Sequence, residues 1–105
     1  MTRLIEEHWN DVDGNPAGGV TSGQGFTISW QNGPLGRDED RKEPNGAFVE
    51  DIIRAAMKRL QFYQRSKFNC GANARAIDDL DRALFSLEAR TAERCKRGVE
   101  GTHEE

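Results

Sequence analysis

The stretch that decides the fold is residues 72–96, ANARAIDDLDRALFSLEARTAERCK. Its large apolar side chains recur at alternating spacings of three and four residues, which is the repeat of a short coiled-coil seam on an α-helix. The seam is formed by Ile77, Leu80, Leu84 and Leu87. Gly98 follows shortly afterwards, and glycine is the residue type that most often ends a helix. The pattern therefore predicts one long helix from about Ala72 to Lys96.

A second helical segment precedes this one at residues 45–66, NGAFVEDIIRAAMKRLQFYQRS. Asn45 is a good N-cap residue, so we expect the helix to begin directly after it and to run to about Ser66. The sequence Asn69-Cys70-Gly71 then predicts a tight connection between the two helices. Residues 45–97 are therefore expected to form an antiparallel helical hairpin.

The first helix of this hairpin carries apolar side chains on more than one face. The two faces are formed by Val49, Ile53 and Met57 and by Phe48, Ile52 and Leu60. One face can meet the second helix, whereas the other needs a further partner. Since only 35% of the 105 residues are hydrophobic, a monomer would have a thin core. We expect the hairpin to assemble with other copies of itself; the alternative is a monomer whose β segment covers the second face.

Residues 1–46 differ sharply from the hairpin, because they hold eight of the eleven glycines and all three prolines. In FTISWQ, residues 26–31, apolar and polar side chains alternate, which predicts a strand with Phe26, Ile28 and Trp30 on one face. A second strand is predicted within residues 4–12, followed by a turn at Asp13-Gly14-Asn15-Pro16. We interpret the glycine-rich residues 18–25 as turns as well.

These segments predict an α+β fold with a single domain over residues 1–105. A small N-terminal antiparallel β element precedes a long two-helix antiparallel hairpin that oligomerises. Residues 1–36 form the β- and turn-rich segment, residues 37–44 a charged linker and residues 45–97 the hairpin. Residues 98–105 form a polar tail, which we expect to be loosely held.

Charge and hydropathy exclude several classes of function. A net charge of −3 and a pI near 5.4 argue against a general binder of nucleic-acid polymers or membrane surfaces. No apolar run could span a bilayer, and residues 1–7 lack the apolar segment of a signal peptide, so we expect a cytosolic protein. Cys70 and Cys95 lie near opposite ends of one predicted helix, too far apart for a disulfide. The sequence shows no zinc-ligand pattern, and no metal or cofactor is predicted.

Arg90 and Arg94 are spaced four residues apart, so both guanidinium groups project from one side of the second helix. Two such groups repel each other unless an anion neutralises them, and the oxygens of a pyrophosphate suit the planar fork of arginine. The alternative is pairing with Glu88, with Glu93 or with a carboxylate of another subunit. Spacing alone leaves both possibilities open.

The apolar seam of the second helix becomes polar at both ends, since Asn73 precedes it and Thr91 and Arg94 continue it. Polar seam residues cost stability, so they either fix the register or face a ligand. At the end of the first helix, Phe62 and Tyr63 could stack on a nucleobase or cap the core. These residues make the hairpin the place to look for a site.

Several segments of the chain resemble those of small phage-encoded proteins. They are residues 26–37, FTISWQNGPLGR; residues 45–51, NGAFVED; residues 59–64, RLQFYQ, with Lys67 and Phe68; and residues 90–94, RTAER, with residues 97–103, RGVEGTH. On these residues the chain is similar to the phage anti-Thoeris sponge family, the first Thoeris anti-defence family. That family shares a helical hairpin domain with an anti-CBASS sponge family. The resemblance covers most of the chain and is strongest from Asn45 onward.

The resemblance implies a homo-oligomer, a hexamer, that binds cyclic nucleotide signals made by bacterial immune systems. The principal ligand would be glycocyclic ADP-ribose, with cyclic oligonucleotides at a separate site in some members. The protein would sequester the signal, without cleaving it, in the cytoplasm of the infected host. Carried over by position, the ligand contacts would be base stacking by Tyr63 or Phe62, a side-chain hydrogen bond from Asn73, phosphate contacts by Arg90 and Arg94, and the second site at Arg37.

Two other functions stay open from the sequence. One is a phage adaptor whose hairpin surface binds a host protein. The other is a phosphodiesterase, against which the lack of a metal-ligand cluster counts. No Ser/His/Asp or Cys/His constellation is apparent in the sequence either, so we expect no enzyme activity.

Overall fold

The computed structural model describes residues 3–105; residues 1 and 2, which belong to the predicted β- and turn-rich segment, lie outside it. In chain order the described elements are β1 (Ile5–Asn10), β2 (Pro16–Gly23), β3 (Phe26–Trp30), a 3-10 turn (Asp38–Asp40), α1 (Val49–Gln64) and α2 (Gly71–Arg97). The strands form one antiparallel sheet in the order β1-β2-β3. The predicted α+β fold, a small antiparallel sheet followed by two helices, is confirmed.

The described chain divides into two compact units. The sheet unit comprises residues 3–48 together with residues 97–105, so it is built from two separate parts of the chain. The hairpin unit comprises residues 49–96. We describe each unit by itself.

The glycine-rich stretch forms the central strand of the sheet, so the interpretation of residues 18–25 as turns is wrong for all but Gln24 and Gly25. A Cβ atom on Gly18 would lie 2.8 Å from the Trp9 ring, and the same atom on Gly19 would lie 2.6 Å from a main-chain oxygen of β1. Glycine in a strand marks such close approaches. β2 is rich in glycine, as turns are, because the Trp9 ring and the backbone of β1 occupy the space that side chains at positions 18 and 19 would need.

Both predicted strands are present. β3 matches its prediction closely, and β1 occupies residues 5–10 of the predicted 4–12. The indole Nε1 of Trp30 donates a hydrogen bond of 2.9 Å to the Oγ1 of Thr21, a β2 side chain that is only 8% exposed. This bond satisfies the hydroxyl of a buried threonine and holds the tryptophan ring against the sheet.

Asn45 does not cap α1, which begins four residues later at Val49. Its side chain instead holds the backbone of Asn32: Oδ1 accepts from the main-chain N–H at 2.8 Å and Nδ2 donates to the carbonyl at 3.0 Å. The N–H of Gln31 also donates to the carbonyl of Ala47 at 2.9 Å. Residues 45–47 therefore extend the sheet unit, and the prediction of an N-cap is wrong.

The tail is held firmly, contrary to the expectation from its polar composition. The N–H of Gly36 donates to the carbonyl of Gly101 at 2.7 Å. The guanidinium of Arg41 forms a two-pronged ion pair with Glu100, at 2.6 and 3.2 Å. A guanidinium and a carboxylate that share two parallel hydrogen bonds form a strong ion pair with a defined geometry. Polarity thus attaches residues 98–105 to the sheet unit through specific bonds.

Burial is confined to the sheet unit. Within residues 3–105, the side chains or glycines that are almost fully covered are Gly18, Gly19, Thr21 and Val99. Neither α1 nor α2 buries a single residue. The described chain on its own therefore has very little of the apolar core that stabilises a folded domain.

The helices match their predictions closely: α1 ends two residues and α2 begins one residue from the expected positions. The least exposed large side chains of α2 follow the predicted seam and its polar ends, namely Asn73, Ile77, Leu80, Leu84, Leu87 and Arg94. An ion pair of 2.5 Å between Arg54 and Glu88 links the helices and raises the pKa of the arginine. No helix among the described residues is long and apolar enough to cross a bilayer.

Candidate ligand-binding surface of the hairpin

Two aromatic side chains stand exposed at the end of α1. Phe62 is 51% and Tyr63 36% exposed, and their ring centroids lie 6.0 Å apart with the ring planes tilted by 56°. The guanidinium carbon of Arg59 lies 5.0 and 4.9 Å from the two centroids, and its Nε donates to the tyrosine hydroxyl at 3.0 Å. This geometry gives cation–π contacts with both rings. The rings therefore lie beside a cation and remain accessible in the single chain.

Arg59 has no separate role in the sequence interpretation, although a signal for it exists. It precedes Phe62 by three residues and Tyr63 by four. These spacings place side chains side by side on a helix surface.

The connection between the helices is organised by Gln64, the last residue of α1. Its Oε1 accepts from the N–H of Cys70 at 2.9 Å and its Nε2 donates to the carbonyl of the same residue at 3.1 Å. The Oε1 also accepts from Nδ2 of Asn73 at 3.2 Å. The structure thereby places the predicted ligand contact Asn73 beside the end of α1 that carries the aromatic pair. Together, Arg59, Phe62, Tyr63, Gln64 and Asn73 form what we call the tip cluster.

The predicted phosphate contacts lie on the last third of α2, and we call Arg90 and Arg94 the arginine pair. Arg90 is exposed and makes no ion pair or side-chain hydrogen bond with any residue from 3 to 105. Glu88, one of its possible partners, pairs with Arg54 of α1 instead. Arg94 is half-buried. An exposed guanidinium without a carboxylate partner is available to an anion.

The tip cluster and the arginine pair are far apart within one chain. Asn73 and Arg90 lie on the same helix, 17 residues apart, which corresponds to about 25 Å along the axis. Within one chain, the tip cluster and the arginine pair therefore do not line one common pocket for a small molecule.

Arg37 belongs to the sheet unit, unlike the other predicted site residues. Its Nη1 donates to the carbonyl of Gly98 at 2.7 Å. It lies at a shallow surface depression lined by residues 36–40, which include three carboxylates, Asp38, Glu39 and Asp40. Their negative charge weakens the attraction of this depression for a phosphate, and the structure gives Arg37 a role in holding the tail.

The part of the chain that the structure describes contains neither a metal-binding cluster nor a disulfide. Among those residues, no three histidine, cysteine, aspartate or glutamate side chains are grouped to hold a metal ion. Cys70 and Cys95 are both exposed and free of a disulfide. The candidate surface therefore consists of aromatic, amide and guanidinium groups, which suit the recognition of a base, a polar edge and a phosphate.

Comparison with known proteins places these residues in a family context. A family model described as the Acb2/Tad1 hairpin domain matches residues 24–92, which include β3, α1 and most of α2. The chain is also 47% identical over 83 residues to "Thoeris anti-defense 1" of Bacillus phage SBSphiJ7. This alignment covers 79% of the chain and 56% of that relative, so the chain spans little more than half of the relative's length. The tip cluster and Arg90 lie within residues 24–92, which the family model matches, and Arg94 lies two positions beyond this range.

Proposed function

The chain belongs to the family of the Acb2/Tad1 hairpin domain, and from this membership we propose that it is a non-catalytic sponge for cyclic nucleotide immune signals. It binds glycocyclic ADP-ribose, the principal ligand, and cyclic oligonucleotides form a second ligand class. By holding the signal in the cytoplasm of the infected host, it keeps the effector of the bacterial defence inactive. The name of the phage relative, a Thoeris anti-defence protein, supports this role.

The observation that carries the proposal is the 47% identity to this relative, joined with the chemistry of the exposed hairpin residues. Stacking of one base on an aromatic side chain contributes about 1–3 kcal/mol. Hydrogen bonds from a guanidinium to phosphate oxygens contribute about 1.5–3 kcal/mol each. A sponge must compete with the effector, and nanomolar affinity corresponds to about −12 kcal/mol. Stacking and several charged contacts in one pocket supply energies of this order.

We further propose that the protein is a homo-oligomer, a hexamer, and that its pockets form between copies. Two observations support this: the helices bury no side chain within one chain, and about 25 Å separates the tip cluster from the arginine pair. Association covers the helices and brings the two parts of the pocket together. In this arrangement, assembly is a condition for binding, and a monomer binds weakly.

The experiment that tests the sponge is a depletion and recovery assay. Glycocyclic ADP-ribose is incubated with the purified protein, the free ligand is measured after ultrafiltration, and the protein is then denatured by heat. We expect the ligand to disappear from the filtrate and to return with unchanged mass after denaturation. Recovery of a hydrolysed product would show an enzyme. No depletion, together with a host protein that co-purifies in stoichiometric amount, would show an adaptor.

A further inference from the structure

Gln64 uses its whole side-chain amide in the tip cluster. Its Oε1 accepts from the N–H of Cys70 at 2.9 Å, and its Nε2 donates to the carbonyl of the same residue at 3.1 Å. A main-chain N–H can only donate and a carbonyl can only accept. The backbone of Cys70 therefore determines which end of the Gln64 amide is oxygen, and this oxygen points toward Asn73.

The orientation of Gln64 determines that of Asn73 in turn. The amide group of Asn73 that faces Gln64 lies 3.2 Å from its Oε1 and 3.5 Å from the carbonyl oxygen of Phe68. Both neighbours are acceptors, so the group between them must be the NH₂ donor. The Oδ1 of Asn73 consequently points away from both, and no donor within residues 3–105 satisfies it.

Asn73 is half-buried and its Oδ1 remains in contact with solvent, so a ligand that covers this oxygen must supply a donor or leave it unpaired. We propose that Gln64 is a positioning residue that makes Asn73 a hydrogen-bond acceptor, so that the pocket selects cyclic nucleotides with an amino or hydroxyl donor at this place. The inference rests on the proposed function, which brings Asn73 to the ligand. A site built to pair with one polar group rejects analogues that lack it, since its own polar atom is then left unpaired.

The test compares three ligands on the wild-type protein by isothermal titration calorimetry. They are glycocyclic ADP-ribose, its analogue with hypoxanthine in place of adenine, and an analogue that lacks one ribose hydroxyl. The first analogue replaces an amino donor with a carbonyl acceptor, and the second removes a hydroxyl donor. We expect one of the two analogues to bind at least about tenfold more weakly than the parent, which identifies the donor.

Two variants then show whether Gln64 creates this preference. In Gln64→Leu only the Phe68 carbonyl, 3.5 Å from the Asn73 Nδ2, still orients the amide, so the ratio of affinities between parent and analogue should fall below about threefold. Gln64→Glu keeps an oxygen that accepts from the Cys70 N–H and from Asn73, although its other oxygen loses the bond to the Cys70 carbonyl. It should therefore bind both ligands more weakly but retain the ratio. A merely structural role would weaken parent and analogue equally and leave the ratio unchanged in Gln64→Leu, which would overturn the proposal.

A measurement without ligand separates this inference from the proposed function. In ¹⁵N NMR spectra, the side-chain amide protons of Asn73 should exchange slowly with solvent in the wild type and at least about tenfold faster in Gln64→Leu. Equal exchange in both proteins would overturn the orientation of Asn73. Slow exchange in a wild-type protein that binds none of the three ligands would support the orientation and overturn the sponge.

Discussion

In the sheet unit, Gly18, Gly19, Thr21 and Val99 are almost fully covered, whereas the two helices of the hairpin unit bury no side chain at all. The sheet unit satisfies its own polar groups through side-chain and backbone hydrogen bonds such as those of Asn45 and Arg41. The hairpin leaves aromatic rings, an arginine and an amide oxygen exposed. The difference fits the proposal that other copies of the chain and the ligand cover the hairpin, whereas the sheet unit has covered residues of its own. We therefore expect substitutions in the two units to affect different properties.

The largest effect should follow a charge reversal in the hairpin, Arg90→Glu. The variant loses the bonds from a guanidinium to phosphate and places a negative charge beside the anion, so cyclic nucleotide affinity should fall roughly 100-fold or more. Calorimetry measures the affinity, and light scattering measures the mass of the assembly, which should not change. The matched control is Arg82→Glu, the same reversal on the same helix at an arginine already paired with Asp79. A loss of assembly in the Arg90 variant would instead make this residue structural.

A smaller effect is expected from replacing a glycine by alanine, which should lower the stability of the sheet unit but not that of the hairpin unit. Gly19→Ala places a Cβ 2.6 Å from the main-chain oxygen of Glu7, which should destabilise the sheet unit by about 2 kcal/mol. In Gly71→Ala the new Cβ meets only the flexible end of Arg75, so it should be neutral or stabilise α2 by about 0.5 kcal/mol.

The two units carry different optical probes for this test. Both tryptophans, Trp9 and Trp30, lie in the sheet unit, so their fluorescence follows its unfolding, while circular dichroism at 222 nm follows the helices. Equal destabilisation by both glycine substitutions would contradict the contrast between the units.

The smallest effect should come from the tail, by Val99→Ala. Val99 is 8% exposed and is the buried apolar side chain of the described residues, so its truncation should cost about 1–1.5 kcal/mol. Tryptophan fluorescence in urea should show the midpoint shift, and cyclic nucleotide affinity should stay within about twofold. The control is Val12→Ala, because Val12 is fully exposed and its truncation removes no packing. If the tail contributes nothing to the stability of the sheet unit, Val99→Ala and Val12→Ala will unfold at the same urea concentration.

The hairpin could be predicted from the sequence because its determinants are local. The spacing of Ile77, Leu80 and Leu84 and the glycine at position 98 predict each end of α2 to within one residue. Most of the predicted line from Asn73 to Arg94 is half-buried, whereas Thr91, which belongs to the same line, is exposed. The predicted family is confirmed as well, since it depends on short segments that are read directly. The ligand contacts of individual residues stay predictions.

The sheet unit was harder to predict because its determinants are distant in sequence. The glycines of β2 are explained by Trp9 and by the backbone of β1, which no local pattern reveals. Asn45 is a typical cap residue, but its partner Asn32 lies 13 positions away. The polar tail is attached through Glu100, whose arginine lies 59 positions away. The spacing of residues does not predict the role of Gln64 either, because that role depends on its hydrogen bonds with Cys70 and Asn73 in the connection between the helices.

The division of the sheet unit between residues 3–48 and residues 97–105 has a consequence for synthesis. As the chain leaves the ribosome, the strands appear first, the helices second and Val99 last of these. The hairpin can meet a neighbouring copy while the sheet still lacks its final covering segment. We expect oligomers to start forming between nascent chains of one polysome, with each sheet closing after its helices have found their partners.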